Sequence, residues 1–100
     1  MSERDAYVQK LKAQLDEWNA EIDRLEAQAR QAGGDARLQY EKQVQSLREQ
    51  RRDAETRLAG LRAATGDAWD QLREGVDQAW SDLKSGLEKA SSAFKQGASS

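Results

Sequence analysis

The sequence predicts an all-α protein: an antiparallel coiled-coil hairpin followed by a third amphipathic helix, giving either a three-helix bundle or a helical oligomer. Three observations predict it. The 100 residues include no proline and are rich in helix-favouring Ala, Leu, Gln, Glu, Arg and Lys. Two apolar heptad runs flank a pair of glycines, and the last third of the chain repeats every eleven residues.

The first helix is expected from residue 3 to 32. Its apolar residues fall at Val8, Leu11, Leu15, Trp18, Ile22, Leu25, Ala29 and Ala32, steps of three and four without a slip. With Val8 at the first heptad position, Val8, Leu15, Ile22 and Ala29 form one column and Leu11, Trp18, Leu25 and Ala32 the other. Ser2, three residues before Asp5, is the expected N-terminal cap. The run stops at Gly33-Gly34-Asp35, where glycine suits the left-handed end of a helix and Asp35 suits the start of the next.

The second helix is expected from 36 to 65. Its seam reads Tyr40, Val44, Leu47, Arg51, Ala54, Leu58 and Leu61. Folding back at residues 33–35 pairs Val8 with Leu61, Leu11 with Leu58, Leu15 with Ala54, Trp18 with Arg51, Ile22 with Leu47, Leu25 with Val44 and Ala29 with Tyr40. In that register the one charged seam residue, Arg51, lies against Trp18, which can stack with its guanidinium. Charge agrees with the pairing: residues 1–32 carry seven acids and five bases, residues 36–65 four acids and seven bases. Exposed ion pairs contribute only a few tenths of a kcal/mol each, so they select register while the seam supplies stability.

A third helix is expected from 67 to about 95, because Gly-Asp-Ala recurs at 34–36 and 66–68. From residue 68 the chain reads AWDQLREGVDQ, AWSDLKSGLEK, ASSAFKQGASS. Ala68, Ala79 and Ala90 align, as do Leu72, Leu83 and Phe94, and Gly75, Gly86 and Gly97. At about 100° per residue, Trp69, Leu72, Val76, Trp80, Leu83, Leu87 and Phe94 share a stripe narrower than a quarter of the circumference. This stripe is the expected interaction face, packed on the hairpin or on another copy, or lying on a lipid surface. Five acids against four bases from residue 68 onward give it no pull toward anionic headgroups. Interior glycines cost about 1 kcal/mol each relative to alanine, so this helix most needs a surface to pack on. Ser91-Ser92 and Gly97 to Ser100 are expected to fray. The chain thus divides into a hairpin, 1–65, and a repeat-bearing segment, 66–100.

Composition excludes several kinds of chemistry. Cysteine and histidine are absent, which removes disulfides, thiolates, imidazole ligation and imidazole catalysis. The remaining acids, such as Glu17 with Glu21 and Asp16 with Asp23, lie off the seam and are expected on solvated faces. Arg48, Arg51, Arg52 and Arg57 are interleaved with Glu49, Asp53 and Glu55, the pattern of inter-helix partners rather than a phosphate site. No catalytic, cofactor or metal residue and no small-molecule substrate are expected, and the protein reads as a non-enzyme. A net charge of −2 with no concentrated basic face argues against nucleic acid. The polar first residues lack the order of a secretory signal, and no apolar run approaches membrane-spanning length, so a cytoplasmic location is expected. The third helix is expected either to fold into the hairpin groove or to continue the second helix and pair between molecules; a two-helix seam buries few large side chains against the entropy of ordering the chain, which favours recruiting a second copy.

The segment DAYVQKLKAQLDEWNAEIDRLEA, followed by WDQL at Trp69 and WSDL at Trp80, resembles a family of small bacterial coiled-coil proteins associated with stress responses. The resemblance implies a cytoplasmic, non-enzymatic, stress-related protein. The C-terminal blocks also look like the eleven-residue amphipathic repeats of apolipoprotein-type lipid binders, which implies a peripheral lipid-binding role for the same face.

Overall fold

The computed structural model describes the backbone of residues 3–99 and the side chains of residues 3–94. Three helices follow one another: α1 Glu3–Gln31, α2 Gly34–Ala63 and α3 Asp67–Ser99. Their ends fall within a residue or two of those read from the heptads, except at the C-terminus. There α3 continues through Ser91 and Ser92 to Ser99, so the expected fraying at 91–92 and 97–99 is not observed. Ser91 instead packs, half-buried, and its hydroxyl donates to Glu21 Oε1 at 3.2 Å. The expected cap at Ser2 and fraying at Ser100 lie outside the described residues.

Both turns use the Gly-Asp-Ala repeat in the same way. Among the described residues, Gly34 and Gly66 are the two with positive φ, at +63° and +60°, a conformation that costs other residues a Cβ clash. The residue preceding α2 is Gly33 in extended conformation, with no side-chain cap, so Asp35 lies in the first turn of α2 rather than capping it. Between α2 and α3, Ala64 donates its backbone N–H to Leu61 O at 3.1 Å, and Trp69 donates to Gly66 O at 3.2 Å.

The helices form a three-helix bundle, a rod of 52 × 20 × 16 Å. At about 1.5 Å rise per residue, each helix of 29 to 33 residues runs nearly the full length. Every pair of helices is in contact, α2 with α3 most extensively and α1 with α3 least. The third helix therefore packs in the groove of its own hairpin. One core cluster draws Leu11, Leu15, Ile22, Leu25 and Ala29 from α1, Val44, Leu47, Ala54, Leu58 and Leu61 from α2, and Trp69 to Phe94 from α3. Val8, Trp18 and Tyr40 pack against it half-buried.

Polar contacts fix the hairpin register close to the expected one. Arg51 Nη1 donates to Asn19 Oδ1 at 2.7 Å, and Arg48 Nη2 reaches Asp23 at 3.2 Å and Glu26. Trp18, however, is not stacked under Arg51; its ring meets Trp80 of α3. A third helix in the groove supplies an aromatic partner that a two-helix seam lacked, and Arg51 turns to the neighbouring amide. Of the remaining basic cluster, Arg57 pairs within its own helix, with Asp53 at 2.9 Å, and Arg52 lies exposed on the outer face.

Candidate functional surface

The face expected to contact partners is the inner face of the bundle. Trp69, Val76, Trp80, Leu83, Leu87 and Phe94 are all buried against the hairpin. Leu72 departs from the stripe: it is 43% exposed, one of two large hydrophobic residues left outside among the described residues, with Leu38 at 60%. Burial of the stripe follows from the groove's demand for apolar surface; Leu72 stands at the stripe's edge, about 60° round the helix from buried Trp69.

α3 is held on two flanks of different character. Toward α2 it presents glycines. A Cβ added at Gly75 would lie 3.0 Å from Arg57 Nη1, and one at Gly86 would lie 3.0 Å from Gln50 Oε1 and 3.1 Å from Leu47 Cδ2. At Gly86 the neighbours include buried Leu47, so this glycine admits a close α2–α3 approach, whereas at Gly75 the neighbour is the far end of the Arg57 side chain.

Toward the hairpin it also presents rings. All six aromatic residues of the chain fall into three pairs, each joining α3 to one hairpin helix. Tyr7 and Trp69 meet edge to face at 6.0 Å between centroids, Trp18 and Trp80 are tilted at 6.4 Å, and Tyr40 and Phe94 lie 4.0 Å apart. Each such pair adds about 0.5–1.5 kcal/mol beyond its burial. The first two pairs share one offset because Tyr7 and Trp18 are separated by the same eleven residues as Trp69 and Trp80. That spacing, across two helices, was the signal for Tyr7, which stands beside the α1 seam rather than on it.

Tyr7 is also the centre of a polar cluster. Its hydroxyl donates to Asp77 Oδ1, the Arg73 guanidinium lies 4.7 Å from its ring, and Arg4 sits 4.9 Å from the Trp69 ring. Burial, reinforced by the Asp77 carboxylate and opposed by Arg73, pushes the Tyr7 hydroxyl up to about 12 from its usual 10. It stays a protonated donor at neutral pH and cannot serve as a base there. Half-way along the rod, Arg51 Nε, Gln50 Oε1 and Trp80 Nε1 are enclosed without a hydrogen-bond partner in the chain.

The outer surface is charged and paired mostly along single helices. Arg24 with Glu21, Arg30 with Glu26, Arg37 with Glu41 and Arg73 with Asp77 stand at one-turn spacing. Glu17, Asp16 and Asp23 are exposed, and Glu21 is half-buried against Ser91. Among the described residues, no group of three or more acidic side chains converges as a metal site, and no polar or charged residue is buried. None of the described helices is long and apolar enough to cross a membrane. The hollows between helices are open; one, at the end where α1 begins, is lined by Arg4, Val8, Arg62 and Trp69, and another by Tyr40 and Phe94 near the α1–α2 turn. No protein-family model matches the chain, and no curated protein or solved structure matches it.

Proposed function

We propose that this chain is a non-catalytic helical interaction protein that self-associates, acts in the cytoplasm and serves in stress tolerance. One observation supports the non-catalytic part: among the described residues no polar or charged residue belongs to the buried core, and the carboxylates stand on exposed or half-buried faces. The free energy of the sequence goes into three mutual seams and an evenly charged exterior. The stress role rests on the resemblance of the α1 segment and the WDQL and WSDL blocks to small bacterial coiled-coil stress proteins.

The self-association part is tested by sedimentation velocity over a wide concentration range. The expected result is a mass that rises from one chain to two. A single-chain mass throughout would remove it. The non-catalytic part is tested by thermal unfolding against a panel of metabolites and metal ions, where no ligand-dependent rise in Tm is expected.

A second reading is favoured by the aromatic stripe of α3: binding to a lipid surface after α3 leaves the groove. It requires giving up the most extensive helix contact in the bundle. Tryptophan emission does not separate the readings, because Trp69 and Trp80 are already buried in the free protein. Flotation with zwitterionic and with anionic vesicles does. Protein remaining at the bottom of both gradients is the outcome the first reading expects, and co-flotation would favour the second.

A further inference from the structure

We infer that the whole chain opens at both links into one continuous amphipathic helix that lies on a zwitterionic phospholipid surface. This rests on the second reading above and extends it from α3 to all three helices.

The three helices keep a common phase. Drawn on a single wheel at about 100° per residue, the buried residues of α1 point on average to about 24°, those of α2 to about 24° and those of α3 to about 43°. The seventeen core residues of the described chain all fall inside one arc of about 100°. So do the six aromatic residues. A bundle does not require this. A turn resets the direction of the next helix, so each face meets the core whatever the residue count of the link. On a straight helix, one residue more or less would swing the following face by about 100°. Agreement within about 20° arises by chance about once in nine at each link, and both links show it. An uninterrupted helix with one dry side is what needs the phase kept through residues 32–36 and 64–66.

Charge obeys the same wheel. Of the 34 charged residues only Arg4, Glu26, Arg51 and Arg62 lie within the arc, and the arginines have stems long enough to carry their heads past its edge. Where the arc crosses the links it holds Gly33, Ala36 and Thr65, all uncharged. Neither link contains proline, so a helix can run through both. Opening uncovers the side chains that the surface covers again, so apolar burial is exchanged and not lost.

The remaining charges select the surface. Within about 40° of one edge of the arc lie Lys12, Arg30, Arg37, Arg48, Arg73 and Lys84, against the single acid Glu55. The side opposite the arc, about 140° wide, carries fourteen acids and six bases. A zwitterionic headgroup holds its phosphate nearer the hydrocarbon and its ammonium nearer water, which complements that order of sign. An anionic surface would instead repel a chain of net charge −2 with an acid-rich outer side.

The chain has no cysteine, so paired spin labels report each link in the full-length protein. Lys10→Cys with Gly60→Cys spans the first link and Arg52→Cys with Ser81→Cys the second; all four positions are exposed. In the closed rod, 20 × 16 Å across, each pair stands at one level, as the contacts of Arg51 with Asn19 and of Gln50 and Arg57 with the third helix fix. On a continuous helix the pairs are about 75 and 44 Å apart. Pulsed dipolar spectroscopy on protein floated with small phosphatidylcholine vesicles should show both long distances. Flotation with a long 52–81 distance and a short 10–60 distance would overturn the continuous helix and leave the second reading standing. No flotation would remove both. Insertion tests the phase itself. One alanine added between Thr65 and Gly66 turns the third face about 100° off the common arc and should weaken vesicle binding at least about tenfold, with Tm unchanged. Four alanines turn it only about 40° and should restore binding. Equal affinity of the two insertions would overturn the shared face.

Discussion

The two flanks of α3 reach the same end by opposite means. Toward α2, Gly86 leaves out a side chain beside buried Leu47 so that the helices approach closely, and this contact is the most extensive in the bundle. Toward α1, Trp69 and Trp80 reach outward to Tyr7 and Trp18 across ring distances of 6.0 and 6.4 Å, and this contact is the least extensive. A glycine flank gains many small contacts and leaves little room for added volume beside Gly86. A ring flank concentrates its energy in two points and tolerates change between them. The eleven-residue repeat encodes both, since glycine and tryptophan recur with the same period on different sides of one helix.

The largest effect is expected in the core itself. Leu83 is fully buried, and Leu83→Ala should destabilise by about 2–5 kcal/mol in urea unfolding; a loss below that range would mean that the core collapses around the gap. On the glycine flank, Gly86→Leu should cost about 1–3 kcal/mol despite leucine's better helix propensity, because buried Leu47 stands in its way. A stabilised Gly86→Leu variant would show that the close approach is not needed. The ring flank is measured by a double-mutant cycle on Trp18 and Trp80, which should return a coupling of about 0.5–1.5 kcal/mol. Zero coupling would reduce that flank to simple burial. Gly60, in contrast, has nothing within 4 Å of an added Cβ, so Gly60→Ala should stabilise by about 0.5–1 kcal/mol. The smallest effect concerns pH. Because the Tyr7 hydroxyl is pushed up to about 12, its contribution is complete below pH 10 and is lost as pH rises through about 12. Wild-type Tm should therefore fall more than that of Tyr7→Phe across this window, and parallel curves would place the cluster outside the stability balance.

Much of this was legible because period and turn chemistry are local. The alternation from Val8 to Ala32 and from Tyr40 to Leu61, together with the two Gly-Asp-Ala sites, located three helices within a residue or two at most ends. What escaped depends on the third partner. Trp18 was matched with Arg51 because a two-helix seam offers no other ring, yet Trp80 takes it. Tyr7 was passed over because it stands beside the α1 seam, and only α3 gives that flank something to touch. Leu72 belongs to the stripe by period, but it stands at the stripe's edge, about 60° from Trp69, and is left partly exposed. Of the surfaces expected for the α3 stripe, namely the hairpin, another copy or lipid, it takes the hairpin: the surface that two helices leave bare is the one their own third helix covers.

An odd number of rods laid side by side has a mechanical consequence. The chain enters at one tip of a 52 Å body and leaves at the other, since α1 and α3 point the same way. Anything joined near Glu3 is held about that far from anything joined near Ser99, and tension between them shears the rods lengthwise instead of peeling them apart.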